Sequence, residues 1–220
     1  MHKENNMQKG LLVVVSGPAG SGKGTVNSQL LASPKYAFSV SATTRAPRPG
    51  ETHGVNYYYI TKEEFERRIA NGEMLEYTNY CGNYYGTPLK EAIEVLESGR
   101  NLILEIEVEG ALNVKRLYPE ALLIMLLPPS FAVQEERLRG RGTETEQKIC
   151  ERLEQTRFEL SQVGEYDYVV YNKDGCSEAC ADDIRAIVAT RRYGTDEVAR
   201  ARAQACESAR HPNAERDYFA

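Results

Sequence analysis

The chain has 220 residues, 41% of them apolar, and a formal net charge of -5. That length supports one domain with a sizeable core and small appendages, and the acidic balance excludes a protein that coats nucleic acid by neutralising its phosphates. No apolar run nears the roughly 20 residues that cross a bilayer. Leu11 to Val15 is also too short for a signal-peptide core, and Ala121 to Leu127 stops at Pro128-Pro129. Cys81, Cys150, Cys176, Cys180 and Cys206 form no C-x-x-C pair, and His2, His53 and His211 lie far in sequence from Cys176 and Cys180. The pattern reads as reduced thiols in a cytoplasmic protein, without a cysteine metal site.

In chain order, the aliphatic run Leu11 to Val15 predicts a buried strand, the glycine-rich stretch Ser16 to Gly22 a loop, and Thr25 to Leu31 a helix by its apolar spacing. Ser41 to Thr87 breaks this rhythm with Pro47, Pro49, several glycines and the tyrosines Tyr57, Tyr58, Tyr59, Tyr77, Tyr80, Tyr84 and Tyr85, and predicts a small, mostly β insertion. The alternation resumes with a strand over Asn101 to Val108, a helix over Ala111 to Leu117, a strand over Ala121 to Leu127 and a helix over Phe131 to Leu138. Arg137 to Thr143 reads as an interruption loosened by Gly140 and Gly142, after which Thr143 and Glu146 form a capping box that restarts a helix through about Leu160. Tyr168 to Tyr171 is a last short strand, and residues 193–220 form a tail rich in Ala, Arg and Glu. Strands apolar throughout, alternating with helices, predict an α/β fold: a parallel sheet covered by helices on both faces.

Gly17, Pro18, Ala19, Gly20, Ser21, Gly22 and Lys23 match G-x-x-x-x-G-K between a predicted strand and a predicted helix. Glycines let successive backbone N–H groups converge on phosphate oxygens, the helix N-terminus adds partial positive charge, and the lysine reaches the transferred group. The hydroxyl that usually follows the lysine is replaced by Gly24, so Thr25 is the candidate magnesium ligand.

From about Leu11 to Val188 the sequence resembles guanylate kinases. SATTRAPRPGE, GVNYYY, GEMLEY, GNYYGT, LILEIEVEGA and RLRGRGTETE stand in that family's order and spacing behind the phosphate loop. The resemblance implies a domain over 9–192 made of a P-loop kinase core, a GMP-binding insertion at about 41–87 and a mobile helical lid at about 134–160. It also implies an ATP:GMP phosphotransferase with Mg2+ as cofactor and ATP and GMP, or dGMP, as substrates.

Arg45 and Arg48 share a proline-constrained segment, with Ser41 before them and Tyr57 and Tyr85 after. Guanidinium forks and phenolic hydroxyls suit a phosphate monoester because they donate directionally. From the residues alone a solvated basic turn is the alternative; the resemblance makes them the site of the acceptor's 5′-phosphate. It sets Glu76 against the guanine N1–H and amino group, where adenine would offer an unprotonated N1, and Thr87 beside the base. Glu105 and Glu107 alternate in a strand-like run and are expected on one face at its carboxyl end, where ligands of parallel sheets gather. They serve either the guanine or the water around magnesium. Glu109 stands as a helix-start residue. Arg137, Arg141 and Arg152 match the family's lid arginines, the first two over the ATP phosphates and Arg152 on the GMP side, with Arg139 left as a solvated arginine. Asn172 matches a position near the adenine of ATP.

The implied catalytic group is Lys23, Arg45, Arg137 and Arg141. The attacking GMP phosphate oxygen is already anionic, so no general base is required. A scaffolding module that binds without catalysis is opposed by the complete phosphate loop. A kinase for ribose bisphosphate or another nucleotide is opposed by Glu76 and Thr87.

Overall fold

The computed structural model describes residues 9–80, 82–140, 142 and 145–193, without the side chains of Tyr80 and Tyr193. Five strands, β1 (Leu12–Ser16), β2 (Tyr36–Phe38), β7 (Asn101–Glu105), β8 (Leu122–Leu127) and β9 (Tyr168–Tyr171), form one sheet in the order β2-β7-β1-β8-β9. Every pairing in it is parallel, and β1 and β8 are buried along their whole length. Alternate residues feed two cores. Val14, Leu104 and Met125 face α3 (Leu89–Glu97) and α4 (Val108–Leu117), whereas Val13, Val15 and Ile124 face α1 (Lys23–Leu31) and α7 (Ser177–Tyr193). Each fully buried Val, Leu or Ile contributes about 1.5–3 kcal/mol, so continuous aliphatic strands are what a sheet covered on both faces requires. The α/β expectation holds.

The insertion carries β3 (Ala42–Thr43), β4 (Tyr58–Tyr59), β5 (Met74–Tyr80) and β6 (Asn83–Pro88) in a second sheet, ordered β4-β3-β6-β5. Leu75 of β5 packs into the core on the α3/α4 side and so ties the insertion to the main sheet. The insertion also holds a helix that apolar spacing did not reveal, α2 (Lys62–Ala70), because only Phe65 of it is buried. Its signals are polar: Thr61 accepts the Glu64 N–H as cap, Glu63 and Glu64 occupy the first turn, and Arg67 and Arg68 the last.

Three boundary expectations are corrected. The strand expected to reach Val108 ends at Glu105, because the chain leaves the sheet and Glu107 caps α4 in extended conformation. Glu105 and Glu107 therefore do not share a strand face. The helix expected to break at Arg137 runs on as α5 (Phe131–Gly140). The next helix, α6 (Glu146–Ser161), is capped by Thr145, whose side chain accepts the Lys148 N–H; Thr143, expected as the cap, lies outside the described residues. No described helix is long and apolar enough to cross a membrane.

Candidate active site

The phosphate loop leaves β1 at the centre of the main sheet and enters α1 at Lys23. Gly17, Gly20 and Gly22 have φ of 142°, 86° and 88°, values that side-chain-bearing residues rarely adopt. Gly17 is also forced by contact, since a Cβ there would sit 2.1 Å from the Leu126 carbonyl oxygen. No side chain caps α1 and its first turn holds no acidic residue, so its first amides keep their partial positive charge for an anion.

The loop's carbonyls are held by side chains of the loop itself, of α5 and of the segment after β9. Lys23 Nζ donates to the Gly17 and Pro18 oxygens at 2.5 and 3.2 Å, Gln134 Nε2 to Ala19 O at 2.8 Å, Arg137 Nη1 to Gly20 O at 3.2 Å, and Asn172 Nδ2 to Ser21 O at 2.9 Å. A trans peptide points its N–H opposite to its C=O, so each carbonyl bond also fixes the direction of the following amide; the Ser21 N–H donates to Pro18 O at 3.1 Å. Against the loop opens a cleft of about 370 Å3, lined by Gly22, Thr25, Arg137, Asn172 and Asp174 among others. Thr25 and Gly24 are exposed on the first turn of α1. Arg137 also donates to Asn172 O at 2.8 Å and pairs with Asp174 at 2.6 Å, so it backs the loop from α5. Gly22 leaves room for Asn172, whose Nδ2 would stand 2.3 Å from a Cβ at that position.

In the insertion, Arg45 Nη2 meets both oxygens of Glu51 at 3.0 Å and lies over the Tyr57 and Tyr59 rings at 5.5 and 5.9 Å. Burial works against the Arg45 charge, but bonds to Glu51 and Tyr85 outweigh it and raise its pKa. Glu51 is held down to about 2, first by the Arg48 backbone N–H and then, against a desolvation cost, by Tyr59 and Arg45. Tyr57 and Tyr85 meet edge to face with centroids 6.0 Å apart. Arg48 is exposed, and Ser41 accepts the Tyr58 N–H immediately before β3. Arg45, Tyr57 and Tyr85 thus form one cluster, with Glu51 and Tyr59 as members that motif reading missed; Glu51 was legible as the last letter of SATTRAPRPGE.

Glu76 of β5 is 3% exposed and accepts the Thr87 hydroxyl at 2.9 Å. Burial pushes its pKa up to about 7, against the opposing hydroxyl and backbone bonds from Thr87. Gly110 of α4 packs close to Glu76, where a Cβ would lie 3.5 Å from Oε2. Glu105, at the end of β7, accepts from Asn27 Nδ2 of α1 at 2.7 Å, while Glu107 and Glu109 are exposed. Arg152 of α6 is exposed. Glu159, which the sequence did not single out, is buried on α6 with its pKa raised to about 7 by burial and by Glu107, against Lys23 and Arg152. Arg141 lies outside the described residues.

The family model for guanylate kinases matches residues 9–189. The guanylate kinase of Halalkalibacterium halodurans is 50% identical over 182 residues, covering 82% of this chain and 88% of the relative. That of Streptococcus agalactiae serotype III is 47% identical over 193 residues, covering 87% and 91%. The crystal structure of guanylate kinase from Anaplasma phagocytophilum superposes with a TM-score of 0.68 at 33% identity, over 84% of this chain and 88% of that one. With a carboxylate buried beside a threonine hydroxyl in one sheet and an anion cradle at the head of the other, this chain belongs to the guanylate kinase family.

Proposed function

We infer that the chain is a guanylate kinase, an ATP:GMP phosphotransferase that yields ADP and GDP. The observation that carries the choice of acceptor is Glu76: a buried carboxylate whose one bonded oxygen is held by Thr87 suits two adjacent donors, which guanine's N1–H and amino group supply. The 5′-phosphate of GMP goes to Arg45, Arg48, Tyr57, Tyr85 and Ser41, and ATP to residues 17–25 with Asn172 near the adenine.

A GMP phosphate oxygen attacks the γ-phosphorus in line, and the bond to the β–γ bridging oxygen breaks, leaving ADP. The protein supplies position and positive charge rather than a base. Lys23 exchanges its loop carbonyls for phosphate oxygens. Arg45, already oriented by Glu51, keeps donors for the acceptor phosphate. Segment 134–160 acts as the lid, bringing Arg137 and Arg141 to the transferred group while Arg152 serves the GMP side, and closure excludes water. Glu105 and Glu107 divide between the guanine and the hydration of the metal.

Magnesium fits as an ion carried by ATP. The described residues gather no group of three or more His, Cys, Asp or Glu that could hold a metal, and an ion carried by phosphates needs only one or two protein oxygens, which exposed Thr25 in the cleft offers. When bound it neutralises charge on the phosphate oxygens. A role in purine nucleotide metabolism follows from that reaction, and the cysteine pattern of the sequence, without a C-x-x-C pair, favours the cytoplasm.

The test is a coupled assay of ADP release with GMP, dGMP, AMP, UMP and ribose 1,5-bisphosphate as acceptors. Turnover confined to the guanine nucleotides is expected; equal or faster turnover with another acceptor overturns the reading.

A further inference from the structure

Gln134 is 0% exposed on α5, yet no element of the catalytic scheme uses its amide. Its Nε2 donates to two acceptors, Ala19 O at 2.8 Å across 115 residues of sequence and Thr156 Oγ1 of α6 at 2.7 Å. The partners fix which way the amide faces. Ala19 O can only accept, and the Thr156 hydroxyl spends its own hydrogen on Arg152 O at 2.9 Å, so it too must accept. The price of this orientation is visible in Gln134 Oε1, which is buried with no partner among the described residues. The backbone of α5 presses on the same loop: a Cβ at Gly20 would stand 3.2 Å from Gln134 O and 3.3 Å from its Cγ.

We propose that Gln134, held by Thr156, is a positioning residue for the phosphate loop: it pins the Ala19–Gly20 peptide so that the Gly20 N–H faces the donor's phosphates. The inference rests on the phosphate-binding role of residues 17–23 given above. Ala19 C=O and Gly20 N–H belong to one trans peptide and point in opposite directions. Gly20, at φ 86°, lacks the Cβ that would resist rotation of that peptide. A carbonyl turned inward would present an oxygen to an anion, so the bond from Gln134 acts on the sign of the loop's field and not only on its shape. Through Thr156, Gln134 also ties α5 and α6 to the loop.

A side chain present only to fill space would be replaced by leucine without functional loss, since Leu and Gln are close in volume and the site is closed. Gln134→Leu, Thr156→Val and Thr156→Ser are compared with the full-length wild type by steady-state kinetics with ATP and GMP varied separately, and by melting temperature. Wild-type turnover of ATP and GMP checks the underlying reading by itself. For Gln134→Leu, kcat/KM for ATP should fall about ten- to hundredfold, the scale of a lost hydrogen bond with orphaned buried partners, while KM for GMP stays within about twofold. Thr156→Val should show the same split with a smaller loss, and Thr156→Ser, which keeps the acceptor, should match wild type. Wild-type kcat/KM for ATP in Gln134→Leu, or losses for ATP and GMP that track a falling folded fraction, overturns the proposal. Should Gln134→Leu fail to fold, Thr156→Val decides: the split supports the role, and unchanged ATP kinetics refutes it.

Discussion

Glu76 and Thr87 face each other across the antiparallel pair β5–β6, and the threonine hydroxyl donates to Glu76 Oε1 at 2.9 Å. The pair makes a small polar spot in an otherwise closed wall. Thr87 stabilises that carboxylate through its hydroxyl and its backbone, yet burial outweighs both and pushes its pKa up to about 7.

That value has a sign. Guanine's two donors need the ionised form, whereas the empty site is protonated below about pH 7. GMP affinity should therefore weaken as pH falls through 7, by up to tenfold per unit. Calorimetric titration of GMP between about pH 5.5 and about pH 8 should show this slope, and Glu76→Gln should retain only the part due to the nucleotide's own phosphate, whose second pKa is about 6. For stability, a folded pKa raised above the unfolded one favours the fold when protonated, an advantage complete below the unfolded value of 4.5 and lost as pH rises through about 7. Empty Glu76→Gln should accordingly gain melting temperature relative to wild type above pH 7. Identical GMP slopes in the two proteins would remove Glu76 from the base site.

Lys23 bonds only to its own loop among the described contacts, at Gly17 O and Pro18 O. Lys23→Ala should lower turnover about a hundred- to thousandfold, while circular dichroism and the melting temperature stay close to wild type. A fully active variant would deny the lysine its role.

Gly22→Ala places a methyl 2.3 Å from Asn172 Nδ2 at a φ of 88°. The expected cost is about 1–3 kcal/mol of stability from backbone strain, together with weakened ADP binding, because Asn172 must release Ser21 O. Adding Asn172→Ala should recover part of the stability by removing the clash, though not the nucleotide affinity. Denaturant unfolding of both variants measures this, and no coupling between the two sites contradicts the contact.

Glu51→Gln takes the counter-charge from Arg45 while keeping the side chain's shape. We expect KM for GMP to rise about tenfold, on the scale of a charge-assisted hydrogen bond, with KM for ATP unchanged. Equal effects on both substrates would mean that Glu51 supports the whole insertion instead of the acceptor phosphate.

The main sheet was legible because its strands are apolar in unbroken runs such as LVVVS and LLIMLL, and a doubly covered strand leaves that signature in any sequence. The phosphate loop was legible because G-x-x-x-x-G-K stands between an aliphatic run and a helical pattern, and its glycines prove to lie at positive φ. α2 was hidden because it buries one phenylalanine and is otherwise charged. Glu105 and Glu107 were misjudged because alternation within LILEIEVEG continues past the point where the backbone leaves the sheet. Gln134, Thr156 and Asn27 gave no motif at all: each is a polar residue in a helix whose partner lies on another element, and such pairings exist only once the chain has folded.

Lys23, folded back onto the Gly17 and Pro18 carbonyls, fastens the first residue of α1 to the start of its own turn. Nucleotide entry is then an exchange of one set of oxygens for another rather than the filling of bare charge. A lone inorganic phosphate, with few contacts beyond the turn, has little to offer in that exchange, and a triphosphate anchored by its nucleoside has much more. On the proposed function, small anions compete for the lysine less well than a nucleoside triphosphate does.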